Sequence, residues 1–368
     1  MKEGLPDDLF DDVEGEDREA REALLSWLVE RGLTVDELRE AKREQRLALL
    51  PTEHVLTRGC NLSLNEAAKR SGREREFIER TWRVAGLPIP DPDEPVIDDE
   101  EDLEAMRISK LALDAGISEE AYVEITRVVG RAAASIAQAI GEQTAAAFLE
   151  RGGTEAEHAM RLEEAAEQLT PLIPELVGFP VRQHLRNALR YQALERKGGG
   201  VTELRDTRQM AIGFADLVGY SALTERVSVS ESSEVAARLE KLATAVAQPP
   251  VRLVKLIGDE AMFVCEEVEP LVAALVELRE KAEAESALPA LHLGIAAGEV
   301  LARAGDVYGP AVNHASRLTG ASDEGQLLIS PEVAEALDGD YDLRELDPIE
   351  LKGVGEVKPV EVVGGNRS

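Results

Sequence analysis

The chain has 368 residues and 44% hydrophobic content, which gives room for about two or three domains with ordinary cores. Lys and Arg number 41 against 72 Asp and Glu, so the formal net charge is −31. Nucleic acid and anionic membrane repel so acidic a surface, and neither is expected as a partner.

Residues 1–20 are dominated by Asp and Glu with few apolar anchors and are expected to be disordered or extended. They lack the apolar core of a signal peptide, and no later run approaches the roughly 18 apolar residues that span a bilayer. Residues 21–195 read as a helical domain. Leu24, Leu25, Trp27 and Leu28 begin an apolar helical face, and Thr34 is placed to cap a helix over Val35–Leu50 that Pro51 ends. Two short helices are expected within Ser63–Ala85 around Ser71-Gly72, followed by a Pro/Asp-rich linker over 88–102. Helical periodicity returns in Leu103–Ala115, Ser118–Glu150 and Thr154–Leu176, with breaks at Gly116, Gly152-Gly153 and Pro171. The Ala-rich run Arg131–Leu149 reads as a buried or interfacial helix. An Arg-rich segment follows and closes on Gly198-Gly199-Gly200, which sets a linker at 196–207 and a second domain at 208–368. The two cysteines, Cys60 and Cys265, are far apart and have no CxxC spacing, which fits a reduced, cytoplasmic setting.

The second domain alternates strand and helix. Strands are expected at Met210–Phe214, Arg252–Ile257, Glu260–Cys265, Ala290–Ala297, Glu299–Ala304 and Gln326–Ser330. Helices are expected at Ser232–Ala247, Val268–Glu283 and Ala311–Thr319, and a hairpin within Ile349–Val363. Two βαβ-like halves with helices over one face make an α+β sandwich.

Three clusters carry chemistry. Asp216 ends an apolar strand and precedes Gly219, a place where a carboxylate can hold a cation beside phosphate oxygens. Asp259 follows Gly258 in a hairpin turn, and if its strand pairs with that of Asp216 both carboxylates reach one sheet edge. Lys255 interrupts the apolar run of that same hairpin, and Asp306 lies in a further turn. Asn313 and Arg317 are four apart on one helical face, a neutral amide beside a planar fork suited to phosphate. Each residue alone fits an ordinary turn, cap or surface ion pair.

In order and spacing, FADLVGYS (214–221), VKLIGDEAMF (254–263), GDVYGPAVNHASRL (305–318) and LKGVGEVKPVEVV (351–363) resemble the catalytic domain of class III nucleotidyl cyclases. The resemblance covers about the last 160 residues. It implies an α+β domain with a ferredoxin-like βαββαβ core and helices on one face. It makes Asp216 and Asp259 ligands for Mg²⁺ or Mn²⁺, two ions per active site. Lys255 and Asp306 become the donor and acceptor that read adenine, which points to ATP. Asn313 and Arg317 become the transition-state pair, and Lys352 meets the terminal phosphates. In this family one copy supplies the metal carboxylates and the other the base-reading and transition-state residues, so a homodimer with two shared sites is implied. Lys255 and Asp259 then serve opposite sites although one hairpin carries both.

The first half is similar to the all-α regulatory domain of soluble actinobacterial adenylyl cyclases, including the acid-activated mycobacterial type. That implies autoinhibition released by a small ligand or a proton, with His184 and His314 as candidate pH sensors. Rival readings are a catalytically weak or inactive cyclase-like module and a helix-turn-helix DNA regulator built on residues 62–88. A diguanylate cyclase would need a Gly-Gly-Asp/Glu-Glu-Phe turn, and Ile257-Gly258-Asp259-Glu260-Ala261 lacks its first Gly and its Phe.

Overall fold

A computed structural model describes residues 5–148, 153–195, 207–303, 305–337 and 341–364. The chain forms two units, Met1–Gly200 and Val201–Ser368. Residues 196–206 of the expected linker lie outside the described residues.

The first unit is helical. Its elements are α1 (Glu16–Glu30), α2 (Val35–Arg43), α3 (Leu50–Leu56), β1 (Cys60–Leu62), α4 (Leu64–Ser71), α5 (Arg75–Ala85), β2 (Ile97–Asp98), α6 (Glu101–Asp114), α7 (Glu119–Phe148), α8 (Glu155–Leu169) and α9 (Ile173–Glu195). Several starts are fixed by the same local chemistry. Thr34, Ser63 and Thr154 each accept from the backbone three residues on, while a Glu at that place reaches back. Each such cap is worth about 1 kcal/mol. Leu24, Leu25 and Leu28 of α1 pack with Leu38 and Ala41 of α2 and with Ala156 and Ala159 of α8.

From residue 5 onward the acidic start is built into the fold, contrary to the expectation for residues 1–20. Asp7–Leu9 form a 3-10 turn, and Leu9 and Phe10 are buried against α1 and α2. Basic partners hold the acids: Asp8 pairs with Arg39 at 2.7 Å, and Asp12 with the buried Arg21 at 3.4 Å. Two apolar anchors and a set of ion pairs are enough to order a segment that composition alone describes as loose. The expected linker at 88–102 is likewise interrupted, because Ile97 is buried and pairs with Leu62 in a two-stranded sheet. The Ala-rich part of α7 is largely exposed within the chain rather than buried.

Helices α4 and α5 with the β1–β2 ribbon have the outline of a helix-turn-helix. Helix α5, the one that would enter a DNA groove, is occupied by α7. The rings of Phe77 and Tyr122 lie 6.0 Å apart, and a Cβ on Gly130 would overlap the Ala85 backbone. The nearby arginines are also engaged. Arg75 pairs with Glu79 at 3.1 Å, Arg80 with Glu119 at 3.5 Å, and Arg73 stacks on Phe77 at 3.9 Å. Helix α7 thus covers one side of α5, and the side left exposed carries Glu76 among its arginines.

The second unit contains β3 (Thr207–Leu217), α10 (Tyr220–Thr224), α11 (Val229–Val246), β4 (Arg252–Ile257), β5 (Glu260–Cys265), α12 (Val268–Ala284), β6 (Leu291–Arg303), β7 (Asp306–Tyr308), α13 (Pro310–Thr319), β8 (Leu327–Ile329), α14 (Pro331–Glu335), β9 (Asp342–Glu345), β10 (Ile349–Leu351), β11 (Gly355–Val357) and β12 (Val360–Gly364). The main sheet runs β4-β5-β3-β6-β8-β12-β9, with β7 on β6. β6 and β8 are parallel and the other neighbours antiparallel.

Residues of β3 alternate between two cores. Ala211 and Ala215 face α11 and α12, where Leu239, Leu271 and Leu275 are buried. Met210, Ile212 and Phe214 face the other way, against Ala311, Ala315 and Leu318 of α13. Helices were expected over one face; α11 and α12 cover it, and α13 adds a short cover to the opposite one. Its far end comes so close that a Cβ on Gly294 would collide with the Thr319 backbone and lie 2.7 Å from the Ala315 carbonyl oxygen.

Two strand expectations are corrected. The strands divided at Gly298 are one continuous β6, because Gly298 gives room to Ala311 rather than a turn. The expected tail hairpin is β10–β11 alone, and β12 instead enters the main sheet between β8 and β9.

Candidate active site

The register of the sheet builds the site. β3 pairs with both β5 and β6, which puts Asp216 opposite Glu260 on one side and His292 on the other. Residues directly opposite share a face, so Glu260, Asp216 and His292 form a row across three strands. Asp259 sits in the β4–β5 turn, where Gly258 takes φ 65°. Its carbonyl accepts from the Leu217 amide at 3.3 Å, which ties the two acidic turns together by backbone. Gly219, at φ 68°, turns the chain after β3 into the five-residue α10.

These carboxylates are crowded. Burial and the negative charge of Asp259 push the Asp216 carboxyl up to about 6, against the opposing influence of His292. Burial, Asp216 and Asp259 also raise Glu260.

Lys255 and Asp306 meet in one protomer. Lys255 Nζ donates to Asp306 Oδ2 at 2.5 Å, and the Val307 amide donates to Oδ1 at 2.8 Å. Burial works against the charge of Asp306, but these two donors outweigh it and hold its carboxyl below the usual range. Asn313 and Arg317 lie on the exposed side of α13, one turn apart, opposite the buried Ala311, Ala315 and Leu318. Neither side chain has a hydrogen-bond or ion-pair partner among the described residues. Lys352 is exposed in the β10–β11 turn. The nine residues picked out by sequence therefore fall into separate groups: Asp216 with Asp259, Lys255 with Asp306, and Asn313 with Arg317 on α13. His314 is next to that last pair. It is half-buried, its Nε2 has no partner among the described residues, and burial lowers its pKa against the charge of Glu332. His184 is exposed on α9 of the other unit.

Residues 203–363 match the model of the adenylate and guanylate cyclase catalytic domain, and residues 4–189 match that of the adenylate cyclase regulatory domain. The chain belongs to the class III nucleotidyl cyclases. One relative is the "pH-sensitive adenylate cyclase MT1302" of Mycobacterium tuberculosis, 33% identical over 90% of this chain and 83% of its own. Another is an "Adenylate cyclase" of Streptomyces coelicolor, 32% identical over 74% of this chain and 70% of its own. Among solved structures, the catalytic core of a rhodopsin-guanylyl cyclase with converted specificity aligns at 23% identity and a TM-score of 0.41, over 43% of this chain and 97% of that one.

The donor set of this cyclase suits a hard divalent cation. Asp216 and Asp259 offer carboxylate oxygens from two turns tied by backbone, and burial first, then the charge of Asp259, raises the Asp216 carboxyl. Among the described residues no group of three or more His, Cys, Asp or Glu could hold a metal. A site of two carboxylates leaves its other positions to water and phosphate oxygens, as Mg²⁺ prefers. Also among the described residues, no helix is long and apolar enough to cross a membrane.

Glu260 and His292 escaped the sequence reading. Glu260 had a signal, since it follows Asp259 directly. His292 had none, because only the β3–β6 register brings it opposite Asp216.

The crowding predicts a stability effect. Asp216 has a folded-state pKa raised above its unfolded value, so its favourable contribution is present below about pH 4 and lost as pH rises through about 6. Asp216→Asn is therefore expected to stabilise the metal-free cyclase at pH 7.5 by on the order of 1–2 kcal/mol after solvent screening is allowed for, while abolishing turnover. Thermal unfolding in EDTA at pH 7.5 and pH 4 checks this, with the gain expected only at the higher pH.

Proposed function

We propose that the chain converts ATP to 3′,5′-cyclic AMP and pyrophosphate at two sites shared between a pair of copies, under control of its helical first unit. The observation that supports the reading is how the site residues associate within the chain. The carboxylates Asp216 and Asp259 come from two turns tied by backbone, and the Lys255–Asp306 pair is poised to present a donor and an acceptor. In that arrangement Lys255 donates to N1 of adenine and Asp306 accepts from its N6 amino group. The ribose 3′-oxygen attacks the α-phosphorus, a new P–O bond closes the ring, pyrophosphate leaves, and the 3′-hydroxyl proton is lost. Arg317 neutralises charge building on the α-phosphate, and Asn313 orients the same region. Lys352 holds the terminal phosphates. Divalent cations on Asp216 and Asp259, two per site, would acidify the 3′-hydroxyl and neutralise the leaving group.

The helical unit supplies regulation in this reading, and a proton is the favoured signal. The pH sensitivity in the name of the mycobacterial relative supports it, as does a half-buried His314 beside Asn313 whose protonation burial disfavours. One assay tests function and control together: cyclic AMP formation from ATP by the full chain and by residues 200–368, with Mg²⁺ or Mn²⁺, over about pH 5.5 to 8. The full chain is expected to gain activity on acidification relative to the isolated domain. A ratio independent of pH removes the proton as signal, and absence of cyclic AMP from both removes the enzymatic reading.

A further inference from the structure

We propose that His292 is the positioning residue of the metal-binding carboxylates, its imidazole holding the Asp216 side chain in the orientation that receives a divalent cation. This rests on the assignment of Asp216 and Asp259 as metal ligands. Asp216 has two cross-strand neighbours, Glu260 and His292. The first is an anion and can only repel it, so His292 is the one neighbour in the row able to donate to a carboxylate. The imidazole also has something to give: Nδ1 is buried and has no hydrogen-bond partner among the described residues. Buried polar atoms are nearly always paired, so an orphan beside a charged site marks a contact that forms when the site is loaded.

The backbone around both residues is already fixed. The Leu293 amide is held by Ser322 Oγ at 3.2 Å and by the Gln326 carbonyl at 3.1 Å. On the other strand, the Leu217 amide donates to the Asp259 carbonyl and the Val218 amide to the Ala290 carbonyl at 2.9 Å. The Asp216 carboxylate is crowded by Asp259 and Glu260, and His292 is placed to restrain it from the strand opposite Glu260. The opposing influence of His292 on the charge of Asp216 points the same way.

Groups that orient a metal ligand typically alter metal affinity about 10- to 100-fold when removed. The test uses the full chain and Mn²⁺ binding followed by the EPR signal of free Mn²⁺, without nucleotide, alongside turnover at saturating ATP. His292→Ala is expected to weaken Mn²⁺ binding about 10-fold with KM for ATP nearly unchanged. His292→Asn, which keeps an N–H close to the position of Nδ1, is expected to recover most of that loss, and His292→Gln is not. Unaltered Mn²⁺ affinity in His292→Ala overturns the inference. So does a loss confined to KM for ATP, which would make the imidazole a triphosphate contact. Equal weakness of His292→Asn and His292→Ala with a lowered Tm overturns it as well, since the role would then be structural. If Asp216→Asn also leaves Mn²⁺ binding intact, the metal assignment itself has failed and the inference falls with it.

Discussion

Asp216→Ala and Arg317→Ala are each expected to lower cyclic AMP formation by at least about 100-fold, and an equimolar mixture of the two is expected to recover activity. The recovery follows from the arrangement of the site. Asp216 lies at the end of β3 with Asp259, whereas Arg317 projects from the exposed side of α13, away from its own protomer's core. A mixed dimer then has one site with both lesions and one with neither. With random pairing, half of the dimers are mixed and each has one of its two sites intact, so about a quarter of wild-type activity should return. Cyclic AMP release by the separate and mixed proteins decides it, and a mixture no better than its parts would place both residues in one protomer's site.

Exchanging the proposed base-reading pair is expected to have the second large effect. Lys255 and Asp306 satisfy each other at 2.5 Å in the free protein, so together they present one donor and one acceptor to an incoming base edge. Lys255→Glu with Asp306→Cys removes that pattern and leaves an acceptor facing N1 of adenine. A polar mismatch of this kind in a built hydrogen-bonding site costs several kcal/mol, so kcat/KM for ATP should fall by on the order of 100-fold or more. Steady-state kinetics with ATP and GTP check the prediction. Unchanged ATP turnover would show that the pair does not read the base. Single variants are less informative, because each leaves the other half of a broken ion pair partly buried.

Much of this was legible in the chain because the informative residues announce themselves locally. Gly258 before Asp259 marks a turn, Asp216 follows a run of apolar residues that can only be a strand, and Asn313 and Arg317 are spaced by one helical turn. Thr34 showed its helix through the cap it makes. What stayed hidden depends on long-range pairing. β9 (Asp342–Glu345) is exposed at every position, so no alternation of apolar residues marks it as a strand, and it exists because β12 offers an edge. His292 is an isolated polar residue until the register of two strands sets it across from Asp216. The acidic start misled for a related reason. Composition counts charges without seeing that Arg21, Arg39 and Lys42 wait for them on α1 and α2.

The contact at Gly294 has a mechanical meaning. The last turn of α13 rests on the backbone of β6 with no space for even a methyl group, and the Ser322 hydroxyl locks the same point. Such a joint has no slack, so the helix bearing Asn313 and Arg317 and the strands bearing Asp216 and Asp259 travel as one stiff plate. A controller acting on this enzyme therefore has little to gain by bending a single domain. If the site is shared between two copies as proposed, the adjustable quantity is the distance and angle between two such plates, and small rotations of one against the other would open or close both sites in step.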